Sequence, residues 1–113
     1  MAQKLYKPLL IDSIKAQVNL TKQKFIDFDG NICPAGAKAY GVCDVDIDAG
    51  QYAPIAVLGV LLIEAGGAIA AKSKITSDVN GRAVTVISTE AINGYALDAA
   101  SALGEVIRIV RGI

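Results

Sequence analysis

Three aspartates at alternate positions, Asp44, Asp46 and Asp48 in "DVDIDAG", form the densest group of oxygen donors in the chain. On a strand, alternation puts all three on one face, where they could bind a hard cation such as calcium. The spacing is not that of a twelve-residue calcium loop: Gly50 falls one position late, and Ile55 stands where the terminal bidentate glutamate is required. A solvated strand face explains the run equally well, since like charges there discourage edge-to-edge pairing. We therefore assign no metal.

Other reactive groups are sparse. Histidine is absent, which removes the usual general base and the usual activator of serine or cysteine. The two cysteines, Cys33 and Cys43, are ten residues apart, which fits neither CxxC redox chemistry nor a four-ligand metal site. Nothing in the first twenty residues has the order of a secretory signal, so synthesis in a reducing cytoplasm and buried free thiols are expected. "AGGAIAAK", Ala65 to Lys72, would suit an anion at a helix start. Small residues would equally let a short helix lie close to a sheet. No phosphate loop or dinucleotide fingerprint occurs. The expectation is a chain that is not an enzyme and holds no cofactor.

The elements that carry these residues read as mainly β. "KFIDFDG" places Phe25, Ile26 and Phe28 before a turn at Asp29-Gly30, and "VCDVDID" alternates Val42, Cys43, Val45 and Ile47 with the aspartates. "EVIRIVR" sets Val106, Arg108 and Val110 on one side and Ile107 and Ile109 on the other, and "NGRAVTVIS" opens on a turn pair that permits positive φ. The apolar window Tyr52 to Ala71 is broken by Pro54, Gly59, Glu64 and Gly66-Gly67. Its uncharged part is too short to cross a membrane as a helix, and two buried strands meeting near Gly59 are expected. Short strands at intervals of about ten residues predict a small β-barrel or β-sandwich, with one short helix over 65–72. A loose repeat relates Gly41, Gly50 and Gly59 to Gly94, Gly104 and Gly112. Each unit reads as strand, turn and apolar strand, with Ala96, Leu97, Ile107 and Ile109 expected inside.

Residues 1–8, ending at Pro8, are too polar to pack alone and predict a flexible arm on a single domain of residues 9–113. Of the 113 residues 53% are hydrophobic, an excess for so small a monomer, which points to burial against partners. The 11 basic and 11 acidic side chains cancel, so no net field draws the chain to nucleic acid or an anionic membrane. They are unevenly placed: residues 1–26 hold five lysines against Asp12, and residues 27–64 hold six carboxylates against Lys38. The halves neutralise each other either within one fold or head to tail between neighbouring subunits.

The order and spacing of three stretches resemble the capsid cement, or head-decoration, proteins of tailed bacteriophages. The first runs from Ala35-Gly36 through Gly41-Val42 to Ala49-Gly50. The second is Ala65-Gly66 to Ala71 followed by "SDVNGRAV", and the third joins Gly94-Tyr95-Ala96-Leu97 to Ala99-Ala100 and Gly104-Glu105. The resemblance covers about Ser13 to Arg111. It implies a structural protein on the outer surface of an assembled virion head, made in the bacterial host, that stabilises contacts between major capsid proteins. It also implies a homo-oligomer, with a trimer favoured, and N-terminal arms reaching the capsid; Lys4, Leu5, Tyr6 and Lys7 are the candidate contacts. That family has no catalytic residues to carry over, and a recombinase label once given to it implies an ATP site whose phosphate loop this chain lacks. The other function class left open is a β-barrel ligand-binding or enzyme-accessory module using the "EAGGAIAAK" turn or the aspartate face.

Overall fold

The computed structural model describes residues 6–113. It contains eight strands: β1 (Lys7–Lys15), β2 (Phe25–Ile26), β3 (Gly41–Cys43), β4 (Tyr52–Glu64), β5 (Lys74–Ser77), β6 (Ala83–Thr85), β7 (Gly94–Ala96) and β8 (Val106–Arg111). They form one sheet in the order β2-β3-β4-β8-β7-β5-β6, with β1 paired to β4 alone, and neighbouring strands among the described residues run antiparallel. The two ends of that path meet where Phe25 N–H donates to the Gly81 carbonyl at 2.7 Å, just ahead of β6. The sheet is thus a nearly closed barrel, which leaves little unpaired edge.

The spine is β4, a single strand of 13 residues where two strands were expected. Gly59 does not end it. On one side β4 pairs with β1; on the other it pairs first with β3, at Ile55 and Ala56, and then with β8, from Gly59 to Glu64. Val57 and Leu61 are four apart and by alternation should share a face. Instead Val57 packs with Ala53 and Ile55 in a smaller core of Leu20, Ile26 and Cys43, while Leu61 and Ile63 enter the larger core with Phe25, Ile75, Ile107 and Ile109. The exchange of faces happens at Gly59, whose φ is +109°, beside register slips that leave Leu9 of β1 and Val57 of β4 without partners. Positive φ and an inserted residue are how a strand turns its side chains over while its hydrogen bonds continue.

The repeat has a structural counterpart. β3 pairs with β4, β7 pairs with β8, and β4 and β8 lie antiparallel at the centre, so the two units are related by an approximate two-fold about the β4–β8 seam. Their turns hold Gly50 (φ +89°) and Gly104 (φ +95°). Ile107 and Ile109 face inward as expected, and Ala96 is buried, but Leu97 is exposed because it lies past the end of β7.

The helix expected over 65–72 is not there, and no helix occurs among the described residues. Ala65 bridges Ala83, Ile69 bridges Ala100, and Lys72 takes a positive φ of 71°. Tertiary pairing of a glycine-rich segment overrides its weak helical pattern, since two adjacent glycines weaken a helix. The aspartate run also departs from expectation. β3 ends at Cys43, and Asp44, Asp46 and Asp48 lie in the loop that follows.

Candidate docking surface

The aspartates shape a loop. Asp46 accepts the Lys22 N–H at 2.9 Å, Asn19 accepts the Ala49 N–H at 2.9 Å, and Leu20 bridges Ile47. These contacts tie residues 19–22 to 46–49 as a lid on the smaller core, a use of short polar side chains that competes with continued strand. Among the described residues no three acidic or cysteine side chains converge to hold a metal. Cys33 and Cys43 are both free and buried; burial pushes both thiols up, which keeps them protonated and unreactive. At the "AGG" turn the first two amides are already committed. Ala65 N–H donates to Glu105 and Gly66 N–H to Ala83, and a side chain added at Gly66 would meet the Asp78 carboxylate at 2.5 Å. An anion beside Gly66 would meet the Asp78 carboxylate.

The surface with unspent chemistry lies on β1 and around the C-terminal stem. Of the four candidate contacts, Lys4 and Leu5 lie outside the described residues. Tyr6 is half-buried against the larger core, and burial first, then the Asp44 carboxylate, push its phenol far above the usual range. Lys7 is exposed and pairs with Val60 at the start of β1. Beyond it, Leu9 is 85% exposed, Leu10 and Ile11 are also exposed, and Ile113 is 86% exposed. The sequence reading passed over this apolar run. Pro8 is the signal that could have found it, because proline in a strand marks an edge.

β1 is held in place by its neighbours. Tyr40 donates to Asp12 at 2.6 Å and stacks at 5.3 Å from the exposed Phe28 ring; that bond holds the Asp12 carboxyl below its ordinary range. Beneath the stem, Arg111 donates from Nε to the Val57 carbonyl at 2.9 Å and from Nη2 to the Ala39 carbonyl at 3.0 Å. Val57 is the residue displaced by the register slip, and Arg111 satisfies the carbonyl that the slip frees. Burial lowers the Arg111 pKa, and its bonds go to neutral carbonyls. Glu64, at the far end of β4, binds both Arg82 and Lys24.

Residues 9–111 match the sequence profile of a family described as phage cement protein. No curated protein matches the chain. Among solved structures, the head fiber gp8.5 N base of bacteriophage phi29 is similar, with a TM-score of 0.75 and 19% identity over 91% of this chain and 93% of that one. At that identity the likeness is one of fold.

Proposed function

The chain belongs to the phage cement protein family, a family of virion structural proteins, and from that premise we propose that it binds the outer surface of an assembled head. There it stabilises contacts between major capsid proteins, without catalysis, as a homo-oligomer with a trimer favoured. The observation that carries the reading is the family match over nearly the whole chain. The exposed apolar run of β1, on a strand hydrogen-bonded along one edge only, supplies a surface of the required kind. A strand edge can accept a segment from the capsid or be extended by residues 1–5, adding main-chain bonds to side-chain contacts. Repetition over a shell means that each contact need contribute only a few kcal/mol. The test is co-sedimentation of purified protein with expanded heads that lack it. Saturable binding and a raised head melting temperature are expected; absence of association with cognate heads overturns the reading.

A further inference from the structure

Two hollows on this molecule carry opposite charge and lie on the flanks of one ridge. The first, divided by the Gly112–Ile113 stem, includes Lys7, Lys38 and Arg111 in its lining and no aspartate or glutamate. Its apolar wall is formed by Leu9, Leu58 and Ile113. The second has a volume of about 650 Å³, and its lining includes Asp78 and Glu90 and no lysine or arginine. Val79 and Ile87 stand at its rim, 72% and 88% exposed. Arg82, a nearby cation, is held by Glu64. The ridge is built from two short segments: the Gly36 carbonyl accepts from Ala91 N–H, and Lys38 Nζ donates to the Ile92 carbonyl at 2.7 Å. Gly36 and Glu90 line the acidic hollow, whereas Lys38 and Ile92 line the basic one.

We propose that these hollows are the two halves of one head-to-tail contact between copies of this chain, the basic hollow of one receiving the acidic rim of the next. Charge complementarity names the occupant. Each hollow is apolar in its walls and single-signed in its charged side chains, and each lacks the side-chain charge the other presents. The two faces differ from each other, so the contact is heterologous. A heterologous contact lets copies add head to tail. The inference deepens the oligomeric part of the functional reading.

The test uses the full chain with two exposed substitutions, Ile87→Asp on the acidic rim and Ile113→Asp on the basic side, followed by sedimentation equilibrium. The native chain is expected to self-associate beyond the monomer, less so as salt rises, and each variant alone to be monomeric. An equimolar mixture is expected to form a one-to-one dimer, because one intact basic hollow then meets one intact acidic rim. The reciprocal pair Lys38→Glu and Glu90→Lys should each weaken association about tenfold or more and recover it when combined in one chain. A native chain that stays monomeric up to its solubility limit, or a mixture that yields no dimer, overturns the proposal. Head binding lost with self-association intact would instead count against the capsid reading alone.

Discussion

Replacing Gly59 by alanine should cost far more than the same change at other positive-φ glycines. The methyl group would stand 2.5 Å from the Lys7 carbonyl oxygen and 2.8 Å from the Leu9 nitrogen, both main-chain atoms of β1. A side chain at φ +109° carries a backbone penalty of about 1–2 kcal/mol. Displacing the facing strand adds an overpacking cost of about 1–3 kcal/mol. The total of roughly 2–5 kcal/mol is a large share of the ~5–15 kcal/mol that a domain of this kind commands. At about 4 °C per kcal/mol the melting temperature should fall by roughly 8–20 °C. Gly50 and Gly104 are the controls: both have positive φ, and nothing lies within 4 Å of an added methyl. Alanine there should incur the backbone penalty alone, about 1–2 kcal/mol. Thermal melts and urea titrations of the three variants give the comparison, and hydrogen exchange should locate the added loss in the amides between β1 and β4. If Gly59→Ala melts with the two controls, the reasoning about the spine is wrong.

Glu64→Gln should lower stability at neutral pH by about 1–3 kcal/mol, since it removes a carboxylate shared by Arg82 and Lys24. Arg82 foremost, then Lys24, hold that carboxyl below its ordinary value. The difference from the native chain should therefore be full above about pH 4.3, the unfolded value, and vanish as the pH falls through the lower folded one; urea titrations over pH 2–7 check this. Thr76 is 1% exposed and its hydroxyl is buried without a hydrogen-bond partner, so Thr76→Val should be neutral or raise stability by about 1 kcal/mol, read as a melting temperature a few degrees higher. Removing residues 1–5, which leaves Tyr6 and all of β1, should spare the melting temperature and weaken co-sedimentation with heads; unchanged attachment would exclude those residues from docking.

Turn chemistry and alternation made much of this fold legible. Gly50, Gly104 and the inward pair Ile107 and Ile109 stand where the sequence puts them, and the repeat of glycine spacings corresponds to a two-fold in the sheet. What misled were segments whose state is decided at long range. "EAGGAIAAK" has a weak helical pattern, but bridges to Ala83 and Ala100 hold it in an irregular, non-helical path, and no local rule anticipates those partners. "VDID" alternates like a strand, yet the loop contacts of Asp46 and Asn19 claim it. Gly59 interrupts the apolar window where two strands were expected to meet; here the strand continues with its faces exchanged. Alternation assigns no task to Arg111, and its role of satisfying the Val57 carbonyl follows only from a register slip that composition cannot show.

The spine also dictates how the molecule must be assembled in time. β4 borders β1, β3 and β8, and the residues it joins to β8, such as Glu64 with Val106, are some forty positions apart. No tight hairpin nucleates that pairing, so loop closure precedes reward and folding belongs on the slow, millisecond-to-second side of small domains. During synthesis β4 emerges with its central edge waiting for a strand not yet translated, and a nascent chain in that condition is open to pairing with its neighbours on the polysome. The chain therefore carries its greatest exposure to misassembly before release from the ribosome, where a holdase that covers β4 should raise its yield and slower translation should lower it.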